Sequence, residues 1–243
     1  VLSSNKKLLI VGGTGFIGSK LAKKAVKKKW KVISISTHKP KKNRKIPKVK
    51  YIICDIFKKK LLEKKIKINF DYVVNLGGFV DHSNKIKTYN SHYIGCKNLA
   101  EIFIKKSITS FVQIGSGLEY GSSKSPQSEN FNCKPNLIKS IYGKSKLLST
   151  LYLKKLFNEN KFPITILRLY QAYGPGQDTN RFIPIIIKGC INNEKFPCTE
   201  GKQFRDFIHV NDVVKAIIKS LISKKSKGEI FNIGSGKPKQ IKK

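Results

Sequence analysis

Apolar residues recur along this chain in short continuous runs, separated by lysine-rich stretches of helical periodicity. KLLIVGG (7–13), KVISIS (31–36), KVKYIICD (48–55), DYVVNLGG (71–78), SFVQIGSG (110–117) and FPITILRLY (162–170) read as strands. They do not alternate apolar with polar, which is the pattern expected when both faces of a sheet are covered. FIGSKLAKKAVKKK (16–29) places Phe16, Ile17, Leu21, Ala22, Ala25 and Val26 near helical spacing, with lysines opposite. HYIGCKNLAEIFIKK (92–106) and the stretch from Tyr142 to Asn158 read as further helices. Strands alternating with helices predict an α/β fold, a doubly wound parallel sheet.

After Tyr170 the texture changes. QAYGPGQDTNRF (171–182) is punctuated by Gly and Pro, and short candidates follow: FIPIIIKGC, RDFIHV, DVVKAIIKSLI and EIFNIGS. The expected division is a dinucleotide-binding domain over residues 1–170 and a smaller substrate subdomain over 171–243. The chain opens without an initiator Met, and NIGSGKPKQIKK (232–243) looks like a point from which another helix would continue. The expectation is a fragment, with tens of residues of the substrate part missing.

Composition changes this picture only modestly. The formal net charge of +36 raises the question of nucleic acid. Yet only Arg44, Arg168, Arg181 and Arg205 are arginines; the other basic residues are lysines spread over the whole chain. Base readout and stacking favour Arg and exposed aromatics, so a compositional bias toward Lys, Ile and Asn is the better account. Cys54, Cys96, Cys133, Cys190 and Cys198 are scattered and odd in number, which supports neither a disulfide framework nor a metal site. No apolar run approaches the roughly 20 residues that span a bilayer. The expectation is a cytoplasmic protein without membrane partners.

The first chemical signal is VGGTGFIG, with Gly12, Gly15 and Gly18 between the first strand and the first helix. Glycines there let the backbone turn and approach a pyrophosphate, and the helix start offers free N–H groups. Phe16 and Ile17 open that helix and join the expected cofactor contacts. Ser36, Thr37, His38 and Lys39 end the second strand, where NAD-preferring folds place an acid. None is present, and Lys39, Lys41, Lys42 and Arg44 follow, so the balance tips slightly toward NADP over NAD. KPKKNRK (39–45) itself reads as a solvated loop. Asp55, followed by Ile56, stands past the third strand and either bonds an adenine edge or caps a helix. Gly77, after the fourth strand, completes the expected cofactor set. Tyr93, Tyr120 and Tyr142 each have Lys four positions on, so that spacing alone selects none of them.

Gly12/Gly15/Gly18, NLGG, IGSGLEYG, YGKSK, LRLYQAYGPGQ and RDFIHVND occur in this order. With them the chain resembles the extended short-chain dehydrogenase/reductase family, which includes NAD(P)-dependent nucleotide-sugar epimerases, dehydratases and reductases. The resemblance implies a catalytic set of Ser116, Tyr142 and Lys146. Tyr142 stands where the family's Tyr-x-x-x-Lys begins, and Ser116 stands four positions before the Tyr120-Gly121 pair. Tyr142 would exchange a proton with a sugar hydroxyl, Ser116 would bond the same oxygen, and Lys146 would favour the phenolate and hold the nicotinamide ribose.

Gly117-Leu118 replaces the Asp-Glu pair of the family's dehydratases. Leu118 also replaces the Cys of its multi-carbon epimerising reductases. Hydride chemistry at carbon 4 remains, as a 4-ketoreductase or a 4-epimerase. On the substrate side the resemblance points to Gln171, where Asn is usual, and to Arg181 and Arg205 as diphosphate contacts. His92 stands where the family often has Asn. A homodimer through the helices around 92–106 and 142–158 is implied by resemblance alone. The competing class is a non-catalytic or RNA-binding member of the same superfamily.

Overall fold

The computed structural model describes residues 5–197 and 199–242; Cys198 lies outside them. Its strands are β1 (Lys7–Val11), β2 (Lys31–Ser36), β3 (Val49–Ile53), β4 (Tyr72–Asn75), β5 (Ser110–Ser116), β6 (Ile164–Leu169), β7 (Gln171–Tyr173), β8 (Phe204–Arg205), β9 (Phe207–His209), β10 (Ile230–Ile233) and β11 (Lys239–Gln240). The helices are α1 (Phe16–Lys27), α2 (Lys59–Lys65), α3 (Lys85–Tyr89), α4 (Gly95–Phe103), α5 (Ile141–Asn160), α6 (Phe182–Asn192) and α7 (Val210–Ile222). Seven strands form one parallel sheet in the order β10-β6-β5-β4-β1-β2-β3.

The continuous apolar runs have a direct cause. Leu9, Val11, Ile33 and Ile35 point into one core, beneath Leu62 of α2, Leu99 and Phe103 of α4 and Leu153 of α5. Their neighbours Leu8, Ile10 and Val32 point into the other, beneath Leu21 and Ala22 of α1 and Val213 and Ile217 of α7. The inner strands β1, β2, β4, β5 and β6 therefore bury both of their faces, at about 1.5–3 kcal/mol per large aliphatic side chain, while the edge strands β3 and β10 are partly exposed. Among the described residues no helix is long and apolar enough to cross a membrane.

Strand order reverses between β1 and β4. In such sheets a crevice opens beyond the C-terminal ends of the strands at the reversal, and ligands bind there. The glycine loop after β1 and the NLGG segment after β4 flank it. The chain after Tyr170 leaves the sheet to form the β7–β9 and β8–β11 pairs and α6, then returns through α7 and β10. Phe182, Ile185, Ile187 and Ile191 of α6 remain exposed.

One expected helix is divided. The 92–106 stretch is preceded by α3, and a single π-helical turn, Asn90–Ile94, carries the chain into α4. Gly95 follows that turn, and a β-carbon on it would press on Ile56 at 2.6 Å. The wider turn puts His92 in the interior.

Candidate functional site

The crevice has a backbone-built wall. Gly12 adopts φ +79°, and a β-carbon at Gly18 would fall on the Gly12 carbonyl oxygen. Close packing of loop and helix therefore requires glycine at both positions. No side chain caps α1, and its first turn contains no acid. This N-terminus has the form and polarity of a phosphate cradle, so Gly12, Gly15, Phe16, Ile17 and Gly18 fit a dinucleotide's pyrophosphate.

The flanking cofactor candidates are held in different ways. Ser36 is buried and its Oγ accepts the Thr14 N–H at 3.4 Å, which braces the glycine loop. Lys39 is exposed at the rim. The loop after β2 is largely exposed, but Arg44 within it is anchored: its side chain is only 11% exposed, its Nη2 lies 3.0 Å from Asp178, and it donates to the Gly176 carbonyl at 2.8 Å. Lys41 reaches the same carboxylate at 3.3 Å. Asp55 accepts the Phe57 N–H at 3.0 Å, a turn-capping bond, while Ile56 is buried beside it. Gly77 donates its N–H to Asn75 Oδ1 at 3.0 Å.

The opposite wall is built from side chains of β5 and α5. Ser116 ends β5 and caps the short 3-10 turn Gly117–Tyr120. Tyr142 lies in the first turn of α5, which Ser140 caps by accepting the Gly143 N–H. Lys146 follows one turn later and is buried; its Nζ donates to the Ile114 carbonyl at 2.7 Å and lies 5.8 Å from the Tyr142 ring centre. Burial pushes the Tyr142 phenol above its ordinary range, while the polar influence of the Ser116 hydroxyl pulls the other way. Burial pushes the Lys146 amine down to about 8, against the opposing charge of Glu119. Ser116, Tyr142 and Lys146 are thus brought together, whereas Tyr93 and Tyr120 lie apart from this group.

Behind them runs a buried amide network. Asn75 Nδ2 donates to Gln113 Oε1 at 2.8 Å, and Gln113 Nε2 donates at 3.1 Å to the Ile114 carbonyl that Lys146 uses. Two histidines that sequence reasoning did not place at the phenol surround it. His82 stacks on the Tyr142 ring, with centres 4.1 Å apart and planes at 15°. His92 meets the same ring edge-on at 4.9 Å, and its Nε2 lies 3.1 Å from the Phe79 carbonyl. Burial pushes His92 down to about 2, so it stays neutral at ordinary pH. Its position in place of an Asn was the one sequence signal; His82 had none.

The substrate candidates divide. Arg181 precedes α6 and borders a cavity of about 470 Å³ with Lys41, Arg44, Val80 and Asp178. Its positive charge reaches both Tyr142 and His82, favouring the phenolate of one and the neutral ring of the other. Gln171 is exposed, and its backbone N–H bonds the Asp206 carbonyl at 3.0 Å. Arg205 is exposed on β8, where its Nη1 donates to the Phe204 carbonyl. It makes no pair with Asp206, whose carboxylate instead accepts the N–H groups of Ser235 and Gly236.

The model of the NAD dependent epimerase/dehydratase family matches residues 8–234. The chain belongs to that family. A protein of Methanocaldococcus jannaschii, provisionally named a UDP-glucose 4-epimerase, is 32% identical over 96% of this chain and 78% of its own length. A UDP-N-acetylglucosamine 4-epimerase from Methanobrevibacter ruminantium, solved with UDP-N-acetylmuramic acid, superposes with a TM-score of 0.88 at 26% identity, covering 99% of this chain and 80% of that one. A dTDP-glucose 4,6-dehydratase from Bacillus anthracis, solved with NAD, gives 0.84 at 25% identity, covering 97% and 77%. Family membership and the NAD-bound structural neighbour support NAD(P) binding by this chain.

Proposed function

We propose that the chain carries out hydride chemistry at carbon 4 of a nucleotide-activated sugar, with Tyr142 as the proton carrier. The convergence of Ser116, Tyr142 and Lys146 beside the glycine-lined crevice carries this reading. Bound NAD(P) would supply hydride exchange. Its pyrophosphate would lie on Gly12, Gly15, Phe16, Ile17 and Gly18, with Ser36, Lys39, Asp55, Ile56 and Gly77 along its length. Tyr142 takes the proton of the carbon-4 hydroxyl and returns it when the carbonyl is reduced. Ser116 bonds the same oxygen and orients it. Lys146, when protonated, favours the phenolate, as does the charge of Arg181.

Gly117 and the exposed Leu118 follow Ser116, so no acid–base pair stands there to expel water. The reading is therefore a 4-epimerase rather than a dehydratase, in keeping with the named activity of the M. jannaschii relative. A second reading, a 4-ketoreductase using NADPH, is favoured by the exposed Lys39 and the want of an acid at the end of β2, Lys41 and Arg44 being engaged by Asp178. Arg181 and Arg205 would meet the diphosphate, with Gln171 near the sugar. Residues 171–243 would supply this side of the crevice, while α7 and β10 of that segment serve the sheet. The outer faces of α4 and α5 would join two copies.

The test is turnover of UDP-, dTDP-, GDP- and CDP-sugars with NAD or NADPH, following nicotinamide absorbance and product stereochemistry. Inversion at carbon 4 without net cofactor consumption is the expected result. Consumption of NADPH with a 4-keto sugar would establish the reductase. No turnover on any of them, with salt-sensitive RNA binding, would overturn both in favour of a non-catalytic member.

A further inference from the structure

Glu119 takes no part in the chemistry above, yet it is fully buried in the wall that holds Ser116, Tyr142 and Lys146. Its Oε1 accepts the Ser116 backbone N–H at 2.9 Å. Its Oε2 accepts the Thr150 hydroxyl at 2.8 Å and the Arg168 Nε–H at 2.9 Å. Thr150 lies one turn beyond Lys146 and two beyond Tyr142, on the same stripe of α5. Arg168 lies on β6, directly opposite Gly115 of β5. A β-carbon at Gly115 would fall on Glu119 Oε1, so the carboxylate is seated against β5 itself.

A buried ion pair is weak support for a fold, because apolar residues of similar volume commonly serve as well. This one ties together the three elements that frame the triad. We infer that Glu119 is a positioning residue of the triad: its carboxylate holds Ser116 through β5 and the Tyr142/Lys146 stripe through Thr150, and its charge acts on both proton-carrying side chains. The inference rests on the reading of Ser116, Tyr142 and Lys146 given above.

The surrounding charges are defined. Arg168 faces Glu119 from β6, with its guanidinium 4.5 Å from the Tyr120 ring centre. Lys146 and Tyr142 face it from α5, and its negative charge raises the proton affinity of both. Cys133 also feels both members of the ion pair. Arg181 acts on Tyr142 from the rim, and Cys96 acts on Lys146 from α4.

Two variants separate geometry from charge. Thr150→Val keeps the charge and cuts the tie to α5. Glu119→Gln keeps an acceptor for Ser116 and removes the charge. Steady-state kinetics are read beside carbon-13 NMR of ring-labelled tyrosines, with Tyr142→Phe assigning the Tyr142 signal. The expected results are a fall of about tenfold in kcat for Thr150→Val with KM unmoved, and a downward shift of the Tyr142 titration by about one pH unit in Glu119→Gln.

A purely structural Glu119 would lower the melting temperature in both variants while leaving kcat per folded molecule and the phenol titration unchanged, and that result overturns the inference. If Glu119→Gln fails to fold, an unchanged kcat in Thr150→Val overturns it alone. The NMR shift needs no turnover. A shifted phenol in a protein whose wild type is inactive would sink the proposed reaction and leave the positioning role standing.

Discussion

Across the crevice, the glycine loop after β1 and the β5–α5 wall are held by different means. The loop is mainly backbone packed on backbone, Gly18 on the Gly12 carbonyl, with one side-chain brace from the Ser36 hydroxyl to the Thr14 N–H. The facing wall is side chain on side chain, with Lys146 on the Ile114 carbonyl and Glu119 joining Ser116, Thr150 and Arg168. The first wall has no room for a β-carbon at Gly12 or Gly18 and relies on side chains little beyond the Ser36 brace. The second depends on individual hydroxyls, amines and carboxylates. Binding and proton transfer should therefore fail separately.

The largest expected separation is Tyr142→Phe. Turnover should fall by about a thousandfold or more while cofactor affinity stays within about twofold, as read by kinetics and calorimetric titration. Gly18→Ala is the converse. Overpacking against the Gly12 carbonyl should weaken cofactor binding on the order of 10- to 100-fold, with the Tyr142 titration unmoved. If either variant damaged both functions equally, the two walls would not be independent.

A third prediction sharpens the description of the side-chain wall. His92 is buried and neutral, with its proton affinity pushed down to about 2. In the unfolded chain it takes a proton near pH 6.5, so protons bind the unfolded state first as pH falls. Stability should then decline by up to about 1.4 kcal/mol per pH unit below 6.5. His92→Asn should remove that slope in denaturant titrations at pH 5 and 7, whereas a slope unchanged by the substitution would place the titrating group elsewhere.

The smallest effects belong to the rim. Arg181→Ala should raise KM for the nucleotide-sugar by about tenfold, and Arg205→Ala by less, because a charged hydrogen bond at an exposed site is only modestly stabilising. No effect at Arg205, which rests on its own neighbour's carbonyl, would remove it from the diphosphate contacts.

The backbone wall was also the more legible one. Six strands and the glycine loop follow from local pattern, since Leu8 and Leu9 announce two cores by being adjacent and both apolar. Tyr142 could be chosen over Tyr93 and Tyr120 only through the order of motifs along the chain. Glu119 with Arg168, Asn75 with Gln113, and His82 with Tyr142 left no local signal, because each pair is separated by tens of residues and meets only across the folded sheet. The loop at 39–45 is exposed as its lysines predict, apart from Pro40 and Arg44, but the tie of Arg44 to Asp178, distant in the chain, left no local signal. The π-helical turn at Asn90–Ile94 is followed by Gly95 packed on Ile56, a contact that periodicity does not reveal.

The most direct test of proton and hydride exchange over one crevice uses a UDP-sugar carrying deuterium at carbon 4, incubated with the protein and NAD. The account predicts inversion at carbon 4 with the deuterium retained on that carbon, and no inversion in Tyr142→Phe. Deuterium washed out into solvent, or full inversion by Tyr142→Phe, would contradict it.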